Sequence, residues 1–296
     1  MKAILVYKST EKNLHLSLLF IPLLLVFLLL NVSSSHAKSK PQRIVSLSPH
    51  LTEMVFALGR EKQLVGVSDY SDYPYAQGCI DEDCSAKLPT VANYQGADIA
   101  AIIRLEPTII LVWAGGNKAQ DIDRLEQLGY IIYRSSPANI EALMEEVLTL
   151  GQALNAVSKS KKLHADMAKQ VGNIKSEYAK QATNALYYMN QQPLSGMGSD
   201  VWTNSLLSLC NIQNIYADLP TAYAQFSIAD IIRKQPEIVI SASHQNLSSV
   251  KAFWALHQSV YNPKIVSVNP DALHRFTARV LPEVALLCKK VHFENN

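Results

Sequence analysis

The sequence predicts an α/β fold of two lobes, each a mainly parallel sheet flanked by helices, with a long rigid helix bridging them. Three observations lead there. The segment "DIAAIIRLEPTIILV" at 98–112 returns as "SIADIIRKQPEIVIS" at 227–241, 129 residues on, with Ile102/Ile231, Arg104/Arg233 and Pro107/Pro236 among the identical pairs. Short β-branched apolar runs occur in both halves, as in strands buried on both faces of a parallel sheet. Between the halves, from Ala138 to about Lys180, no proline interrupts an apolar pattern at helical spacing.

The repeated unit reads as helix, proline, strand. Asp98 and Ser227 suit a helix N-cap, where a side-chain oxygen accepts from an orphan backbone N–H. Pro107 and Pro236 cannot continue the helix, because proline has no N–H to donate. The runs "TIILVW" and "EIVISA" then read as strands. Two similar halves suggest two lobes with a cleft between them; two units so far apart do not make a solenoid.

Taken in order, residues 1–37 combine Lys2, Lys8 and Lys12 with the apolar run "SLLFIPLLLVFLLL" and the small-x-small sequence Ser35-His36-Ala37. That is a secretory signal peptide with a long basic front, and the run is short for a membrane span, although an uncleaved anchor is the alternative. The first lobe, 38–137, is expected to hold strands at 43–47, 64–68, 108–113 and 130–134, with the helix "LTEMVFALG" ending at Gly59. Linking helices fill 138–183, the second about 35 Å long at 1.5 Å per residue. A Gly/Ser hinge would let the lobes swing, whereas a long helix holds them at a nearly fixed separation. The second lobe, 184–296, begins with "NALYYMN" and ends in a helix over 281–293.

Loss of 1–37 removes three lysines and one glutamate, which brings the formal charge of +2 to about zero. That argues against nucleic acid, whose binders present a basic face. Four cysteines remain in an exported chain, so disulfides are expected. A bond between Cys210 and Cys288 would tie the last helix to its own lobe. Cys79 and Cys84 flank "IDED" and would staple a small surface loop. A metal site there is the alternative, weakened by the lack of a nearby histidine.

In open α/β sheets, ligands bind beyond the carboxyl ends of the strands. After "LVGVS" come Tyr70, Tyr73 and Tyr75. After "TIILV" comes Trp113, followed by Gly115 and Gly116, which would let a ligand approach the backbone. Tyr94 precedes the first copy of the repeat and Tyr223 the second, again 129 residues apart. The last strand opens into "NPDALHRFTAR" with Asp271, His274, Arg275 and Arg279. The bland readings are that aromatics at such junctions cap a core, that Asp271 is an N-cap making an i,i+4 pair with Arg275, and that His274 is an exposed helical residue. The motifs GxSxG, HExxH, the P-loop and GxGxxG in context are missing from the sequence. An aromatic cleft with two or three polar anchors suits a bulky, largely apolar ligand, and the expected role is binding without catalysis or cofactor.

These features resemble the periplasmic cobalamin (vitamin B12)-binding proteins of ABC importers, in the class III family whose lobes are bridged by a long helix. The likeness runs from about Pro41 to the C-terminus, carried by "RIVSLSP" with Glu53, "VGVSDYSDYP", "YQG", "WAGGN" and the Asp271/Arg275 pair. The resemblance implies a monomeric periplasmic protein that captures cobalamin and delivers it to an inner-membrane permease dimer and its ATPase. It implies cobalamin contacts at Tyr70, Trp113, Asp271 and Arg275, and a Cys210–Cys288 disulfide. Tyr94 and Tyr223 stand where the best-matching members carry tryptophan. Ala100 and Ala229 stand where the family has one docking glutamate per lobe, with Asp98 and Asp230 close by, for which capping is the simpler role. A haem or siderophore receptor of the same fold is the runner-up; an exported two-lobed enzyme is the reading from another class.

Overall fold

A computed structural model describes residues 41–179 and 182–293. The expected signal peptide lies outside the described residues. Strand β1 (Ile44–Ser46) leads into helix α1 (Pro49–Ala57), where proline at the start has the φ a first turn needs. Gly59 ends α1 at φ 67°, with Gly59 N–H donating to Phe56 O at 2.9 Å and Arg60 N–H to Val55 O at 3.0 Å. This is the paired closure that a left-handed residue after a helix permits.

The first sheet continues with β2 (Leu64–Ser68), β3 (Thr90–Asn93) and β4 (Gly96–Ala97). Helix α2 (Ile99–Arg104), β5 (Ile109–Trp113), α3 (Ala119–Gln127) and β6 (Ile132–Ser135) follow. Its order is β4-β3-β2-β1-β5-β6, parallel except for β4. Two helices then run in succession, α4 (Ile140–Ala153), capped by Asn139, and α5 (Val157–Glu177). At 21 residues α5 is about 32 Å long.

The second sheet comprises β7 (Thr183–Gln191), β8 (Leu194–Met197), β9 (Ile212–Asn214), β10 (Tyr223–Gln225), β11 (Ile238–Ser241) and β12 (Lys264–Ser267). Its helices are α6 (Val201–Leu209), α7 (Ile228–Lys234), α8 (Leu247–Ala255), the short α9 (Pro270–Leu273) and α10 (Val280–His292). The strand order is β10-β8-β7-β11-β12, with β9 also beside β7. This sheet is mixed: β7 pairs parallel with β9 and β11, and β11 with β12, while β8 runs antiparallel to both β7 and β10.

The repeat survives as geometry. Asp98 Oδ1 accepts Ala101 N–H at the start of α2, and Ser227 Oγ accepts Asp230 N–H at the start of α7. Glu106 (φ 46°) and Gln235 (φ 47°), each just before the shared proline, both take the left-handed conformation. A residue before proline is pushed out of the right-handed helical region, and both copies meet that constraint in the same way.

One face of each sheet packs on the linking helices in a single continuous core that includes Ile44, Leu111, Leu143, Met167, Tyr187, Ile240 and Leu287. The outer faces have their own clusters, around Ile102 and Ile110 in the first lobe and Tyr188 and Trp254 in the second. The described residues from Gln42 onward accordingly form one compact unit. The disulfide Cys210–Cys288 ties α10 to the end of α6 deep in the shared core, both cysteines fully buried. Cys79 and Cys84 are bonded to each other, so neither thiolate is left for a metal.

Candidate functional site

The site is assembled where the carboxyl ends of both sheets meet. After β2 the chain turns at Tyr70 with φ 60°, which sends its ring outward (69% exposed) while Ser71 goes in. Ser71 Oγ is 3.0 Å from Thr52 Oγ1 and 3.2 Å from Ser68 Oγ, so buried hydroxyls pin the turn. After β5, Asn117 Oδ1 accepts Trp113 N–H at 2.7 Å and its amide donates to Leu47 O at 2.8 Å, closing the "WAGGN" loop. Trp113 folds back over this loop. A Cβ on Gly116 would overlap the indole Cε3 and Cζ3, and one on Gly115 would lie 3.0 Å from Nε1. The glycines therefore make room for Trp113 itself.

The segment 274–279 of the second lobe crosses to the first. Phe276 packs edge-on against Trp113, His50 and Trp202, with ring centroids 5.7, 5.3 and 4.6 Å away. Arg275 Nη1 donates to Glu53 Oε1 at 2.7 Å and to Asp72 Oδ1 at 2.8 Å. Arg279 donates through Nη2 to Glu53 Oε1 at 2.7 Å and through Nε to Oε2 at 3.1 Å, and lies over the Tyr73 ring at 4.1 Å. Glu53, the one acid in α1, is 3% exposed and takes both guanidiniums.

Asp271 is not a helix cap. Asn269 caps α9 through a bond from Asp271 N–H, and Asp271 Oδ1 stands 4.0 Å from Arg275 Nη2. The i,i+4 relation is real, but Arg275's shorter bonds go to the other lobe. His274 is half-buried rather than exposed, with Nε2 2.8 Å from Tyr187 Oη. Burial pushes its pKa down, with Asp200 and Asp271 opposing. His50 sits beneath Trp113 and Phe276, its Nδ1 2.6 Å from Ser48 Oγ and its Nε2 3.2 Å from Ser135 Oγ. Burial first, and the Arg275 charge second, push its pKa down to about 3, so the ring is neutral. Ser135 in turn donates to Glu146 of α4 at 2.5 Å, linking the floor of the site to the bridging helices.

Two cavities flank the ion-pair cluster. One, about 480 Å³, is lined by Met189, Asn190, Ser243, His244, Asp271 and Arg275 at the strand ends of the second lobe. The other, about 570 Å³, lies behind Glu53 and Arg279, among Phe56, Tyr73, Tyr75 and Thr277.

Trp113 and Arg275 are thus brought together with Asp271, through Phe276, and Tyr70 stands two residues from Asp72. Tyr94 and Tyr223 stand at the outer edges instead, Tyr94 in the β3–β4 turn and Tyr223 on edge strand β10 with its hydroxyl 2.5 Å from Ser195 Oγ. Ala100 and Ala229 are exposed in the first turns of α2 and α7. Asp98 caps α2 as expected. Asp230 does not cap; its carboxylate accepts from Tyr216 Oη at 2.7 Å and from Arg233, and these bonds, Arg233's foremost, lower its pKa. Sequence reasoning left Glu53, Asp72, His50 and Phe276 out of the site. The lone acid in a mostly apolar helix was the available signal for Glu53.

Comparison with known proteins follows the same lines. The family model described as periplasmic binding protein matches residues 44–258. A vitamin B12-binding protein of Vibrio cholerae is 31% identical over 250 residues, covering 83% of this chain and 88% of its own. The crystal structure of the periplasmic vitamin B12 binding protein BtuF of Vibrio cholerae superposes with a TM-score of 0.74 at 28% identity, over 84% of this chain and 96% of that one. The periplasmic heme binding protein HutB of Vibrio cholerae gives 0.71 at 20% identity, over 85% and 99%, a likeness of fold alone.

Proposed function

This chain belongs to the periplasmic binding protein family, and from that premise we propose that it captures cobalamin between its lobes and hands it to an inner-membrane ABC permease and its ATPase. The observation that carries the reading is the meeting of Trp113, Phe276, Arg275 and Asp271 at the joined strand ends of both lobes. A corrinoid is broad and apolar across its ring and bears polar amides at its edge. Aromatic walls with a few polar anchors match that chemistry. The relatives named for vitamin B12 support it.

In this reading Tyr70, Trp113, Asp271 and Arg275 face the ligand, and Tyr94 and Tyr223 form outer walls. Gly115 and Gly116 serve by seating Trp113. Residues 1–37 act as a cleavable signal, and the mature chain works in the periplasm as a monomer. Delivery needs only small closing motions, since one core spans both lobes.

Haem is the competing ligand, and it needs an axial tyrosine or histidine. His274 is bound to Tyr187 and His50 is buried, which leaves exposed groups such as Tyr70 and His244. An absorbance titration separates the two. Purified mature protein should perturb the spectrum of cyanocobalamin at equimolar ligand. A haem spectrum shifted by ligation that depends on Tyr70 or His244, without a response to cyanocobalamin, would favour the haem reading.

A further inference from the structure

We propose that Asp72 is a specificity residue, which sets the site against carboxylate-bearing ligands by occupying Arg275 in advance. The inference rests on the cobalamin reading and names how that site chooses among ligands.

Arg275 and Arg279 converge on a single buried carboxylate, Glu53. Two guanidiniums against one acid would leave a surplus positive charge where the lobes meet. A planar guanidinium in excess is a strong receptor for carboxylates. Asp72 and Asp271, each 49% exposed, cancel that surplus. Asp72 Oδ1 takes the same Nη1 that Glu53 holds, at 2.8 Å, and Asp271 Oδ1 stands 4.0 Å from Nη2. Three acids thus face two arginines. His244, with Nε2 3.9 Å from Asp271 Oδ1, adds a positive charge only when protonated.

An incoming carboxylate gains little in such a place. At Nη2 it meets Asp72 and Asp271 as like charges, and to gain Nη1 as well it must displace Asp72, which exchanges one carboxylate for another. A primary amide fits without displacement. Its oxygen can accept from Arg275 Nη2, which makes no hydrogen bond among the described residues, and its NH2 can donate to Asp72 or Asp271. Cobalamin's rim is made of such amides, whereas haem carries propionates and many iron chelates carry carboxylates.

The test compares cyanocobalamin with its monocarboxylic acid derivatives, in which one peripheral amide is hydrolysed. Dissociation constants are measured at pH 7.5 and low salt for wild type, Asp72→Asn, and Asp123→Asn, a distant exposed charge control. Wild type should prefer the amide at least fivefold over at least one acid isomer. Asp72→Asn should cut that preference by at least threefold, chiefly by tightening the acid, and the effect should shrink at high salt. Asp123→Asn should match wild type. An unchanged ratio in Asp72→Asn, or equal weakening of both ligands, overturns the proposal and leaves cobalamin binding intact. If folded wild type binds no corrinoid at all, the functional reading itself fails, and this one with it.

Discussion

Arg275 and Glu53 are 222 residues apart in the chain and 2.7 Å apart in the fold, an ion pair that joins the segment between α9 and α10 to α1. Glu53 is held between two arginines, so each arginine's position at the lobe junction depends on a side chain of the opposite lobe.

Arg275→Ala should therefore weaken cyanocobalamin binding by about 1–3 kcal/mol, the scale of a lost hydrogen bond to a charged group. It should also lower the melting temperature, because Glu53 keeps only Arg279. Arg275→Lys should recover little, since an ammonium cannot present the guanidinium's fixed fork to Glu53 and Asp72 together. Titration calorimetry and thermal melts read both effects; unchanged binding in Arg275→Ala would make the pair purely structural.

Gly116→Ala should act on binding through Trp113. The added Cβ overlaps the indole ring, which must swing away from Phe276. The expected result is about a tenfold loss of corrinoid affinity, about 1.4 kcal/mol, in a folded protein. Trp113 fluorescence should shift with it. Full affinity together with an altered Trp113 environment would show that the indole is not a ligand wall.

Reducing the Cys210–Cys288 bond should lower stability without reshaping the site, since both cysteines lie in the core. Closing a loop over a separation of 78 residues contributes about 4–5 kcal/mol in the loop-entropy model. A clear drop in melting temperature with dithiothreitol, reversed by reoxidation, is expected. Free-thiol labelling of Cys210 or Cys288 in protein made in the periplasm would contradict it.

Acid should destabilise the fold partly through His50. Its folded pKa is pushed down to about 3 from 6.5, so over that window the unfolded chain binds a proton that the folded one refuses. Its contribution is complete above about 6.5 and is lost as pH falls towards 3. His274, also lowered by burial, acts in the same direction. Glu146, raised by burial, acts in the opposite one. The melting temperature should fall less between pH 7.5 and 4.5 in His50→Gln than in wild type; an equal fall would remove His50 from the account.

Docking on the importer should show weak salt dependence. Ala100 and Ala229 carry no charge, Asp98 is used as a cap, and the Asp230 carboxylate is held by Tyr216 and Arg233. Exposed ion pairs are what salt screens, and few are left to screen. Binding to the reconstituted importer across salt concentrations checks this. A steep dependence that vanishes in Asp98→Asn with Asp230→Asn would give these aspartates the docking task.

Much of this was legible in the chain because the repeat fixes local geometry. Caps, prolines and buried strands are set by neighbours in sequence, so α2 with β5 and α7 with β11 stand where the pattern puts them. Strands β3, β4, β8, β9 and β10 were missed: they are short, and β4 and β10 are edge strands with little periodicity to read. The Glu53–Arg275–Asp72 cluster was out of reach for another reason. Its partners come from distant segments, and only the packing of two lobes brings them together. Asp271 and Arg275 looked like a pair because they are one helical turn apart, while the stronger partner lay at the far end of the chain.

The central claim is that this protein binds cobalamin where its lobes meet, and titration calorimetry of the mature chain with cyanocobalamin tests it most directly. One ligand should bind per chain with a dissociation constant below about 1 µM, corresponding to about −8 kcal/mol or better. No measurable heat at tens of micromolar ligand, from protein shown to be folded, would contradict it.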